Sequence, residues 1–110
     1  MATYDDFLKL DMRVGEIIEV EDFPRARKPA YKVRVDFGAE IGTKWSSVQA
    51  KNEYSQDELL HRQVVCLINV PPKNIAGFQS EVLVLGVPAE DGSLSLLTPS
   101  RMAHIGGRLY

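Results

Sequence analysis

Residues 30–37 read Ala-Tyr-Lys-Val-Arg-Val-Asp-Phe. Tyr31, Val33, Val35 and Phe37 alternate strictly with Lys32, Arg34 and Asp36, so the segment predicts a strand with one buried and one polar face. Residues 12–21 predict a strand before it, with Val14, Ile18 and Val20 on one face and Gly15 marking a bulge or a close approach. Pro24 and Pro29 break the chain between the two into a loop. A third strand is expected over 43–49, with Trp45, Ser47 and Gln49 opposite Lys44, Ser46 and Val48. After it the period changes. Ser55 and Glu58 have capping-box spacing ahead of Leu59 and Leu60, which predicts one or two helical turns. The apolar run 63–70 reads as a strand buried on both faces and stopped by Pro71 and Pro72. A further strand is expected over 78–87, and Asp91-Gly92 turns the chain into a return strand over 94–98. At the N-terminus, Thr3 caps a short helix through about Leu8, with Asp5 and Asp6 in its first turn.

Several short strands of even spacing suggest an all-β small barrel or sandwich. A short helix between strands 3 and 4, with the terminal segments outside, is what a five-stranded OB-fold barrel carries. The chain of 110 residues fits one domain, 1–110, with a barrel core of about 10–98. No apolar run is long enough for a membrane helix, the first residues lack a signal-peptide pattern, and the lone Cys66 has no partner for an internal disulfide. These features lead to the expectation of a cytoplasmic protein with no membrane insertion.

Composition excludes a disordered chain: 45% of residues are hydrophobic and 25% charged. The net charge of −2 hides a strong segregation. Residues 1–22 are acidic, whereas 23–34 carry Arg25, Arg27, Lys28, Lys32 and Arg34 with no acid. Screening confines such a field to about 8–10 Å, so this segment can attract phosphate on an acidic protein. It can equally be a solvated strand face beside a loop, and both readings stand at this point.

Nothing in the chain proposes a reaction. His61 and His104 have no second His or Cys at ligand spacing, so neither a metal nor a cofactor is expected. Cys66 lies in an apolar run, where cysteine behaves as a small hydrophobe. There is neither a phosphate-binding loop nor a dinucleotide-binding glycine motif. The chain reads as a binding protein, not an enzyme.

Several strings fit one pattern: Leu10-Asp11-Met12-Arg13-Val14-Gly15, Pro24-Arg25-Ala26, Val35-Asp36-Phe37-Gly38, Asn69-Val70-Pro71-Pro72 and Ala76-Gly77-Phe78-Gln79-Ser80-Glu81-Val82-Leu83. In this order they resemble the tRNA-binding domain family, over about residues 8–110. The runs Asp22 to Tyr31 and Ser80 to Val87 are most similar to its small CsaA-type export chaperones. The resemblance implies an OB barrel, a homodimer, tRNA binding through one barrel face and a chaperone role towards unfolded or exported preproteins, with the export machinery as a further partner. The alternative within the same family is a dedicated structure-specific tRNA-binding protein without clients.

By position, the resemblance places Arg13 and Gly15 in the first-strand motif, Asn69 at the end of the fourth strand, and Gly77, Ser80 and Glu81 in the fifth-strand motif. Each has a structural reading beside the functional one: backbone geometry for the glycines, local hydrogen bonds for Asn69 and Ser80, and ion pairing for Arg13 and Glu81. The expected tRNA contacts are Arg13, Arg25, Arg27, Lys28, Lys32, Arg34, Asn69, Lys73, Ser80 and Glu81. Phe23, Trp45, Tyr54 and Phe78 are candidates for a peptide-binding apolar surface. Tyr4, Phe7, Leu8, Met102, Ile105, Leu109 and Tyr110 lie outside the barrel strands and are candidates for a dimer interface.

Overall fold

The computed structural model describes residues 1–110. Helix α1 (Tyr4–Leu8) is followed by strands β1 (Met12–Asp22), β2 (Tyr31–Asp36) and β3 (Thr43–Val48), helix α2 (Gln56–Leu59) and strand β4 (Gln63–Leu67). Five short strands complete the chain: β5 (Lys73–Ile75), β6 (Phe78–Ser80), β7 (Leu83–Val84), β8 (Gly86–Pro88) and β9 (Leu94–Leu96). The main sheet runs β3-β2-β1-β4-β7 and is antiparallel throughout. Strand β1 is long enough to serve two partners, pairing with β4 through Met12–Glu16 and with β2 through Glu16–Asp22.

The sheet curls until its edges meet. The Glu81 N–H donates to the Trp45 carbonyl (2.8 Å) and the Trp45 N–H donates to the Glu81 carboxylate (3.0 Å). Beside them, the Ser47 N–H donates to Ser80 Oγ (3.1 Å) and Ser46 Oγ donates to the Val82 carbonyl (2.7 Å). The result is a mostly-β, five-stranded barrel with α2 between β3 and β4. Its core holds Ile17, Val33, Val35, Phe37, Leu59, Val64, Cys66 and Val82, all at most 2% exposed.

The inward face of β1 changes phase part-way. Its register against β2 shifts between Ile17 and Glu19, and Ile17, not Ile18, enters the core. A bulge adds one residue and swaps the faces beyond it, which a strict period-two reading of 12–21 misses. Gly15 makes the close approach: a methyl placed there would lie 2.8 Å from the Phe37 ring and closer still to Val35.

The strand expected over 78–87 is three short ones, β6, β7 and β8. Between the prolines and that segment, where no strand is expected, the chain around Lys73 forms β5 and pairs with β6. Ala76 and Gly77, at φ 50° and 86°, make its two-residue turn. This is a turn with both central residues left-handed, whose twist matches the flanking strands. Glycine accepts that conformation freely, whereas Ala76 carries a steric cost.

Both helices close with reciprocal caps. Thr3 and Asp6 bond each other's backbone around α1, and Ser55 and Glu58 do so around α2. These hydrogen bonds, to Thr3 and to Ser55, hold the Asp6 and Glu58 carboxyls below their ordinary range. A lowered carboxyl stabilises above its unfolded pKa and loses that contribution as pH falls through its folded value, so both caps weaken in acid.

The tail lies along the outer side of β1. The Val14 N–H donates to Gly107, Gly106 to Val14 and Leu109 to Met12. Gln63 exchanges two hydrogen bonds of 2.8 Å with the backbone of Ala103. No helix of the protein is long and apolar enough to cross a membrane.

Candidate nucleic-acid interface

The outer face of β2 and β3 carries Lys32 and Ser47 in one register pair and Arg34 and Trp45 in the next. Two elements rise around it: the β1–β2 loop, pinned at its ends by the Phe23 N–H to Ala30 carbonyl bond (3.2 Å), and the β5–β6 hairpin. Between them runs a cleft of about 680 Å³. Arg27 and Lys28 line it from the loop, Lys73 and Asn74 from the hairpin, and Ser47 and Gln49 from β3 and the residue just beyond it. No carboxylate lines it. Arg27, Lys28 and Lys73 form no ion pair and are exposed. Three unneutralised cations around one cleft are suited to bridging phosphates, because each can exchange a condensed counterion for a direct contact.

The other expected contacts divide differently. Arg25 is exposed on the same loop but does not line the cleft. Arg34 is already engaged: Nη1 donates to Glu19 (2.8 Å) and Nε to Thr43 Oγ1 (3.1 Å). Lys32 Nζ sits 4.9 Å from the ring centres of both Phe23 and Phe78, a double cation–π contact. Phe78 meets Phe23 edge-on at 5.4 Å and Trp45 at 6.2 Å, so this cluster anchors the β5–β6 hairpin to the barrel. Lysine in alternation with apolar residues reads as a solvated cation; that one ring from the β1–β2 loop and one from β6 converge on it is invisible in a local pattern.

The motif residues carry structural bonds. Arg13 Nε donates to Asp11 (2.6 Å) and Nη1 to the Gly106 carbonyl (3.1 Å), tying β1 to the tail. Asn69 accepts from the Asp11 N–H (2.8 Å) and donates to the Lys9 carbonyl (2.7 Å), tying β4's end to the N-terminal segment. Ser80 and Glu81 close the barrel as described above. Arg13 and Glu81 do not pair with each other; each bonds its own neighbours. Gly77 serves the hairpin turn.

Of the aromatics expected on an apolar surface, Phe23 is buried at 3% exposure and presents no face to a partner. Tyr54 is half-buried; its hydroxyl accepts from the Leu96 N–H (3.1 Å), and its own carbonyl accepts from Tyr31. Trp45 and Phe78 are half-buried and adjoin each other. Among the terminal candidates, Tyr4 (68%), Leu8 (44%), Met102 (83%) and Tyr110 are exposed, whereas Phe7, Ile105 and Leu109 are half-buried against the chain. Burial pushes the Cys66 thiol up to about 12, which removes the thiolate a nucleophile needs. No group of three His, Cys, Asp or Glu side chains converges as metal ligands.

A barrel closed by the Ser80–Glu81 motif, with a basic cleft beside it, can be set against known proteins. The family described as "Putative tRNA binding domain" matches residues 12–108. The chain belongs to the tRNA-binding domain family. Within it, the chain superposes over its full length on the CsaA chaperone protein of Picrophilus torridus, with TM-score 0.93, 50% identity and 100% of each chain covered. For the chaperone CsaA of Bacillus anthracis str. Ames the TM-score is 0.91 and the identity 44%, over 100% of this chain and 99% of that one. The methionine–tRNA ligase of Pyrococcus abyssi is 42% identical over 107 residues, which is 96% of this chain and 14% of the ligase. The similarity to the ligase is thus confined to a small part of that enzyme.

Proposed function

We propose that the protein is a CsaA-like binding protein, not an enzyme, which holds tRNA in the cleft between the β1–β2 loop and the β5–β6 hairpin. The observation that carries this reading is the set of three unpaired cations, Arg27, Lys28 and Lys73, around a cleft lined by no carboxylate. Such contacts grip the backbone and leave sequence unread, so binding follows the shape of the folded RNA. The test is a fluorescence titration with bulk tRNA at two ionic strengths. Between about 50 and 200 mM salt the affinity is expected to fall about tenfold or more. A flat response overturns the phosphate mechanism.

A second activity, binding of unfolded or exported preproteins in the cytoplasm and their delivery to the export machinery, is supported by the full-length likeness to two CsaA chaperones. Trp45 and Phe78 supply the half-buried aromatic surface for it. Addition of an unfolded basic peptide to the tRNA complex separates the cases. Displacement means one shared surface, and peptide binding without displacement means two. Absence of any peptide binding leaves a dedicated tRNA-binding protein.

The protein acts in this reading as a homodimer that doubles the basic surface. Tyr4, Leu8, Met102 and Tyr110 leave apolar area exposed at the chain ends, which a two-fold interface would bury. Light scattering at micromolar concentration is expected to give twice the chain mass; a monomer contradicts the dimer.

A further inference from the structure

The cleft holds more than cations. Gln49 is exposed on its floor and its carboxamide has no partner within the protein. Asn74 faces it from the hairpin. Its Oδ1 accepts the Gly77 N–H at 2.9 Å, which fixes the carboxamide and leaves the NH₂ group free to donate. Two amides with unused hydrogen-bonding groups therefore lie among three phosphate-seeking cations. A phosphate needs no carboxamide acceptor, but the edge of a nucleobase presents donors and acceptors together, which asparagine and glutamine match.

Size and lining narrow the ligand further. The cleft volume of about 680 Å³ lies in the range that encloses a single small molecule. In double-stranded RNA the bases are stacked, the major groove is too deep and narrow for side chains and the shallow minor groove is recognised mainly by its shape and 2′-hydroxyls, so a base whose edge is read within a cleft is one splayed out of the helix. The nearby aromatics do not line the cleft: Phe78 and Trp45 are engaged with each other, and Phe78 also with Lys32. Stacking on an aromatic is thus replaced by the aliphatic surface of Ile75 and its neighbours.

We infer that the cleft takes one unpaired nucleotide of the RNA, its phosphates on Arg27, Lys28 and Lys73 and its base edge on Gln49 and Asn74. This rests on the tRNA reading above and adds a base preference to it. The contacts to phosphate give affinity; the two amides give discrimination.

The test compares tetraadenylate, tetracytidylate and tetrauridylate, which carry equal charge and so share the electrostatic contribution. Affinities for the three are expected to differ by about three- to tenfold, the contribution of one or two hydrogen bonds. In Gln49→Leu, which keeps size and removes both donor and acceptor, the differences are expected to collapse while the salt dependence of tRNA binding stays unchanged. Gln49 is exposed, so the variant is expected to fold as the parent does, which circular dichroism checks. Adenosine 5′-monophosphate and the corresponding cytidine and uridine nucleotides, used as competitors, are expected to displace the oligonucleotides in the same order of preference, only at higher concentration. If a mononucleotide instead binds more tightly than the tetranucleotide, a free nucleotide is the ligand and the RNA assignment falls. If tRNA binds in a salt-sensitive manner but the three oligonucleotides bind alike, or Gln49→Leu preserves their differences, the nucleotide site is overturned and the tRNA reading survives. If neither tRNA nor any oligonucleotide binds, both fall. Preferential occupation of the cleft by an acidic peptide, detected as displacement of the oligonucleotides at lower concentration than tRNA requires, also overturns the assignment.

Discussion

Replacing Arg27, Lys28 and Lys73 together by alanine is expected to weaken tRNA binding by about two orders of magnitude at 0.1 M salt, and to flatten the slope of log affinity against log salt by about two to three. Each of these cations lines the cleft without a neutralising partner, so each truncation to alanine forfeits the release of one counterion. The variant should keep its fold, because none of the three makes an ion pair in the protein. Arg34→Ala is the informative control. Its guanidinium already pairs with Glu19 and Thr43, so its removal is expected to change tRNA affinity less than threefold. Titration at several salt concentrations distinguishes the two variants. Equal weakening by both would mean that the outer strand face, and not the cleft, holds the RNA.

Phe37→Ala is expected to have the largest effect on stability, about 3–5 kcal/mol, measured by urea unfolding. Phe37 is 2% exposed and fills the space under Gly15, so its removal leaves a cavity in the barrel. Gly15→Ala fails for the opposite reason. The added methyl would overlap Val35 and press on the Phe37 ring, a cost of about 1–3 kcal/mol. The two changes should therefore be coupled: Gly15→Ala is expected to cost less in the Phe37→Ala background, which removes the ring from beside the methyl and gives Val35 room to yield. Strictly additive effects would show that the overlap with Val35, and not the Phe37 ring, sets the cost of the methyl.

Elements with a strong local period were readable in the amino-acid order. The alternation at Tyr31–Phe37 gave a strand whose inward residues are the buried ones, and Ser55 with Glu58 gave a capped turn. The place of the bulge in β1, between Ile17 and Glu19 and not at Gly15, and the β5–β6 hairpin escaped, each for a physical reason. A bulge is one residue that breaks the period without changing composition, and Ala76 is not a residue that announces a left-handed turn. The basic segment was legible as charge, but its division into bound and free cations was not. That division depends on Glu19, Thr43, Phe23 and Phe78, which approach Arg34 and Lys32 only through the tertiary fold. Gln49 and Asn74 gave no signal at all, since two isolated amides become a pair only when the hairpin folds over β3.

Arg108 donates to the carbonyls of Leu8 and Leu10, while the tail it belongs to runs beside Met12 and Val14. The two ends of the barrel's chain therefore leave from the same place. A unit built this way behaves like a bead with both threads at one hole: it can be appended to another polypeptide, or inserted into one of its loops, with both connections leaving side by side. The occurrence of a 42%-identical segment as 14% of a methionine–tRNA ligase is what such a portable arrangement permits.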